Sequence, residues 1–329
     1  MIHENPTTPS HQPPSALRAH ARGGLILSAA LLVAASLAGI AVAAPRLSPR
    51  LTLWGYADGE RFSQPRGIAF DPGDGALYVA NSGGHRIEVF SRTGRPLARF
   101  VHRVAGPDGS MIDGEPCALA FDRSGRLLVV DNAATYVDVL NRRGRPVTRL
   151  SVTAGRPAAV AAASDGTIYV GTTAEESKIH RFRADYAPIG SWGEQGDEPG
   201  RLHGVTALGE LADGTIAVAC ARTELGVQIF TPSGEYLRGF GTHELGGGSF
   251  SLPSGLVGTA DGRVWVIDEI RQNLQVFDPE GTLVAKSGRG GAAGGELAHP
   301  SSLASDGRGL MAVADKAIGR VRVFTISER

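Results

Sequence analysis

The stretch "PRGIAFDPGDGALYVANSGGHRIEVF", residues 65–90, decides the fold because it is not unique. It divides into a short apolar strand, a turn rich in Gly and Asp, a second strand "ALYVAN", a short loop and a third strand "HRIEVF". The turn "SRTGRP" and a fourth strand, "LARF", complete the unit. The same order returns at 115–150, 156–192, 202–240 and 252–287, and once more at 299–329, where the chain stops after the third strand. A period of this length marks a repeat architecture, in which each copy buries its apolar face only against its neighbours. Alternating aliphatics at Ile87 and Val89, Val137 and Val139, Val227 and Ile229, and Val321 and Val323 have the period of half-buried strands. Asp-Gly pairs at 165–166, 213–214 and 261–262 supply the positive φ that two-residue hairpins need. The first strand of every copy is built from small residues ("GIA", "ALA", "AVA", "VTA", "GLV", "SLA"), as expected where backbones crowd an axis.

The fourth strand missing from the last copy is found at the other end. Residues 51–55 begin "LTLWGYADGERFSQPRGIA", which matches the junctions between later copies. Pairing that strand with "RVRVF" (320–324) closes a ring and removes a sheet edge. The expected fold is therefore all-β, a six-bladed β-propeller over residues 45–329, closed by an N-terminal strand that joins the last blade.

Residues 1–44 are separate. Residues 1–23 are polar and Pro-rich, with Arg18 and Arg22 before an uncharged apolar run at 24–44 that ends in Ala41-Val42-Ala43. The run is long enough to span a bilayer, and its end also suits signal-peptidase cleavage. Either outcome places the globular part outside the cytoplasm, anchored or secreted, since the arginines hold their own side inside. The 33 basic and 33 acidic residues cancel, so no electrostatic footprint for nucleic acid exists. Cys117 and Cys220 lie two copies apart, too far for a disulfide.

Residues 65–90 resemble the NHL repeat, whose blades run P-x-G-I-A-x-D, then G-x-I-Y-V-A-D-S-x-N-H-R-I-x-V-F. The resemblance is close in the first copy and looser in the others, and it too implies a six-bladed propeller. His85 belongs to this signature. Its counterparts are Thr135, Ser177, Leu225, Gln272 and Gly319, so no second histidine joins it and it is expected to be structural.

Chemistry in such a ring is expected at one mouth of the central channel, where polar groups from all blades converge. Two sets of positions are assigned there. Arg66, Cys117, Ala158, His203, Ser254 and Ser301 begin the innermost strands, and Asn81, Asp131, Thr172, Cys220, Asp268 and Asp315 follow the second strands. The candidate binding residues are Arg66, Asn81, Asp131, His203, Asp268 and Asp315. The plainer alternative is that the carboxylates bond only their own loops, and a half-buried Arg66 calls for an anionic partner, Asp315 or a ligand. The resemblance also brings enzymes into view. Zinc lyases acting on peptidyl-hydroxyglycine place a histidine after the proline-like position in three blades, and only "LHGV", with His203, fits here. Catalytic zinc wants three ligands, and Cys117 with His203 makes two. Lactonase-like propellers hold calcium with acidic residues; Asp131, Asp268 and Asp315 are available, but the innermost strands lack their carboxylates. The expectation is an extracytoplasmic module that binds a protein, peptide or glycan, with a zinc or calcium enzyme as the alternative.

Overall fold

A computed structural model describes residues 45–57, 59–106, 108–288, 290–291 and 296–327. The segment read as an anchor or signal, 24–44, lies outside them; among the described residues no helix is long and apolar enough to cross a membrane. Six four-stranded antiparallel sheets follow one another along the chain. Blade 1 spans 65–101, blade 2 spans 116–151, blade 3 spans 156–192, blade 4 spans 205–240 and blade 5 spans 253–287. Blade 6 takes three strands from 300–327 and its outermost strand from the other end of the chain, in the expected closure. That strand is Arg46–Leu53 rather than 51–55. It starts earlier because Arg46 to Pro49 also pair, with Ser327 to Phe324, beyond a bulge that precedes Leu51.

Among the described residues there is no single central core. Six apolar clusters each sit between two neighbouring blades, as in the pair Leu127 and Val129 of blade 2 against Ala80 and Val89 of blade 1. The closing seam is one of them: Leu53, Ala312 and Val321 of blade 6 pack on Ile68, Val79 and Phe90 of blade 1. The innermost strands do run close together. A Cβ on Gly67 would meet the Cα of Ala118 at 2.7 Å, and one on Gly255 would meet the backbone nitrogen of Leu303 at 2.8 Å.

The alternation in the third strands carries more than a half-buried pattern. Glu88, Asp138, His180, Gln228, Gln275 and Arg322, which should face water, are all buried. Each pairs across the ladder with a valine: Val79, Val129, Val170, Val218, Val266 and Val313. All but Glu88, which bonds Asn81 and Arg86 within its own blade, turn their polar ends to the chain arriving from the preceding blade. Gln228 accepts from Gly200 N at 2.6 Å and donates to Arg201 O at 2.7 Å, and Gln275 does the same with Gly248 N and Ser249 O.

In blade 2 the row becomes a charged triad. A hairpin not apparent in the sequence, Arg103–Ala105 with Met111–Asp113, interrupts the connection from blade 1. His102 at its root is buried, with Nδ1 2.7 Å from Asp131 and Nε2 3.1 Å from Asp138, which also accepts from Arg149. Burial alone lowers the imidazole pKa, but the hydrogen bonds to Asp131 and Asp138 prevail and raise it to about 9.

Two outcomes follow from these seams. Leu53 is 8% exposed at the closing seam, and Leu53→Ala should cost about 2–4 kcal/mol by denaturant unfolding; an unchanged midpoint would mean that the ring does not close there. His102 has a folded pKa near 9, above its unfolded value. Its contribution is therefore complete below about pH 6.5 and is lost as pH rises through about 9, a loss on the order of 3 kcal/mol. The wild-type advantage over His102→Gln should shrink across that window; an advantage that stays flat would show His102 to be neutral.

Candidate functional site

Near the start of every innermost strand, one residue pairs with the end of the second strand and is followed by a bulge. The paired residues are Pro65, Pro116, Pro157, Val205, Pro253 and Pro300. The bulge leaves Arg66, Cys117, Ala158, Thr206, Ser254 and Ser301 out of the ladder, and all six line one cavity of about 540 Å³ at a channel mouth. A bulge re-aims a side chain that the ladder would otherwise hold.

His203 does not belong to this ring. The sequence aligned Leu202 with the prolines, but Val205 takes their place, so the frame shifts by three residues and Thr206 fills the position assigned to His203. Leu202 is instead fully buried between blades 3 and 4. His203 still lines the cavity, from the loop before the strand. Its Nδ1 stands 2.5 Å from Asp197.

The second set is placed differently from the expectation. Asn81, Asp131, Asp268 and Asp315 are at most 1% exposed, and none lines the cavity. Their oxygens are taken by backbone N–H groups just ahead of the innermost strands. Asn81 accepts from Ser63, Asp131 from Glu115, Asp268 from Ser251 and Leu252, and Asp315 from Ala298 and His299. Asp315 is further paired with Arg320 at 3.1 Å, so it is no partner for Arg66. His85 adopts φ 56° and its Nδ1 lies 2.8 Å from Gly114 O, a tie to the next blade.

With those carboxylates withdrawn, the mouth is basic although the chain is neutral. Arg66, Arg156, Arg222 and Lys316 line it, against Glu269 alone. Lys316 takes Glu269 at 2.6 Å. Arg156 donates to the backbone oxygen of Asn132. Among the described residues no carboxylate pairs with Arg66, Arg156 or Arg222, and the Nε of Arg66 is buried without a partner. Arg66 and Arg156 flank Cys117: burial and Asp131 push that thiol up to about 12, while both guanidiniums pull it down. Cys117 and Cys220 are both unpaired.

The residues present do not fit the metals considered. Among the described residues no three His, Cys, Asp or Glu side chains gather as ligands. The three aspartates considered for calcium are spent on separate loops, and Cys117 with His203 makes only two of the three ligands that catalytic zinc wants. Farther in, Ile68, Leu119, Val160, Leu208, Leu256 and Leu303, one from each blade, narrow the channel. Beyond them a second cavity of about 640 Å³ opens, lined by Phe70, Phe121 and Trp265 among others.

Residues 62–90 match the NHL repeat model. With its six four-stranded sheets in a ring closed by the N-terminal strand, the chain is a six-bladed β-propeller whose first blade carries an NHL repeat. No curated protein matches it in sequence. Solved structures do in fold. A streptogramin B lyase aligns with a TM-score of 0.61 at 13% identity, covering 86% of this chain and 98% of that one. A gluconolactonase from Xanthomonas campestris gives 0.62 at 14%, covering 86% and 95%. A virginiamycin B lyase from Staphylococcus aureus gives 0.58 at 14%, covering 87% and 88%. At these identities the likeness is one of architecture.

Proposed function

We propose that this propeller is an extracytoplasmic binding module that takes an anionic ligand at the basic mouth of its channel. The observation that carries the reading is Arg66, half-buried, unpaired, with its Nε orphaned, in a cavity where Arg156 and Arg222 also lack carboxylates. An unsatisfied buried donor costs about 1–3 kcal/mol, which an anion would recover. Charge-assisted contacts of this kind contribute roughly 1.5–3 kcal/mol each. The location outside the cytoplasm rests on the uncharged run at 24–44 and the arginines before it.

Propionate binding to the full-length protein, followed by titration calorimetry at low salt, should weaken at least tenfold in Arg66→Gln with the melting temperature kept. Equal affinities in the two proteins would refute an anion site at Arg66.

One contact favours a second reading, proton-transfer catalysis at the same mouth. Asp197 holds His203 through Nδ1, leaving Nε2 to act as a base. The similar folds named as lyases and as a gluconolactonase lend this reading precedent. Opening of glucono-1,5-lactone, followed with a pH indicator, should exceed background with the wild type and fall to background in His203→Gln. No rate above background with the wild type would dismiss it for that substrate.

A further inference from the structure

The ring of bulged residues has two unlike arcs. Over blades 1 to 3 it presents Arg66, Cys117 and Ala158, with Arg156 beside them. Over blades 4 to 6 it presents three hydroxyls, and the geometry decides what these can offer. Thr206 Oγ1 donates to Pro253 O at 2.5 Å, Ser254 Oγ to Pro300 O at 2.8 Å, and Ser301 Oγ to Pro65 O at 2.8 Å. A hydroxyl has one proton and two lone pairs. Each proton is taken by a backbone carbonyl, at the shortest distance that of the next blade, so toward the cavity the three oxygens accept. One arc of the bulged ring is thus cationic, and the other is a row of acceptors, with Arg222 and the Glu269–Lys316 pair in the loops beside it.

From this we infer that the ligand is a polyhydroxylated carboxylate, a sugar acid, with its carboxylate against Arg66 and Arg156 and its hydroxyls donating to Thr206, Ser254 and Ser301. The inference rests on the anion-binding reading and adds the second half of the ligand. An ammonium group at the acceptor arc is disfavoured, because the one carboxylate there, Glu269, is neutralised by Lys316 at 2.6 Å. A simple anion would leave the three acceptors unused. A neutral polyol would leave the arginines unpaired. The cavity, about 540 Å³, lies within the usual range for small-molecule sites.

The experiment compares D-glucuronate, propionate and glucitol by calorimetry with the full-length protein. Glucuronate should bind at least tenfold more tightly than either of the others. Thr206→Val with Ser254→Ala should remove that advantage over propionate while leaving propionate itself unchanged, and this retained binding shows that the variant is folded. If glucuronate binds no better than propionate in the wild type, the sugar-acid proposal is overturned and the anion site stands. The same holds if the hydroxyl variant keeps the full advantage. If glucitol binds as tightly as glucuronate and Arg66→Gln changes neither, the anion site is overturned as well.

Discussion

At the middle of each blade's third strand, a polar side chain lies opposite a valine, and in every blade but the first it faces the connection from the blade before it. Water is shut out there, so the group must find its partner within the chain or cost about 1–3 kcal/mol. Gln228 and Gln275 solve this with paired bonds to backbone, Arg322 with a bond to Glu296 O at 3.0 Å, and Asp138 through His102. In blade 1, Glu88 accepts from Asn81 Nδ2 at 2.9 Å, and Asn81 in turn accepts from Ser63 of the incoming loop. Apolar clusters hold blade to blade without direction. The polar row supplies direction, since it fixes where each connection runs and therefore where the next innermost strand begins.

That constraint explains what was legible in the sequence and what was not. Repeats, turns and the displaced outer strand report on backbone pairing, which side-chain period and Gly-Asp chemistry encode directly, so blade number and closure were readable. Alternation of aliphatic and polar residues looks the same whether the polar face meets water or a neighbouring loop. Nothing in "IEV", "VQI" or "LQV" distinguishes the two. The hairpin at 103–113 left a weaker trace, the Asp108-Gly109 turn between Val104 and Ile112. It breaks the period of the repeat rather than extending it.

The candidate site was legible in part, and for mixed reasons. Arg66 was found because its proline frame holds. His203 lines the same cavity although its frame is three residues off in blade 4, where valine replaces proline. Asn81, Asp131, Asp268 and Asp315 were judged by position alone. Burial and the N–H groups ahead of each innermost strand make them tethers of the incoming chain. Arg156 and Arg222 flank the two sets of positions, Arg156 at the start of its innermost strand and Arg222 in the loop after the second strand, so neither set includes them. Their signal was available in the residue types themselves: both stand within two residues of an assigned mouth position, Ala158 and Cys220.

The withdrawal of the aspartates and the availability of Arg66 are linked through the same bulge. Between blades 4, 5 and 6, and from 6 on to 1, the bulged hydroxyl itself ties one blade to the next through a backbone carbonyl. Between blades 1 and 2 the corresponding carbonyl, Pro116 O, is reached instead by Ser82 Oγ at 2.5 Å, from the loop after the second strand. That substitution relieves the bulged position of blade 1 of its structural duty. A long cation can then occupy it without opening the seam, and the carboxylates that would neutralise it are held by the chain ahead of each innermost strand. The tie and the charge have thus been separated onto two residues in one blade, while the blades that still use the bulged hydroxyl as a tie contribute acceptors to the same mouth. The division of the ring into a cationic and an accepting arc follows from which blades keep the original tie.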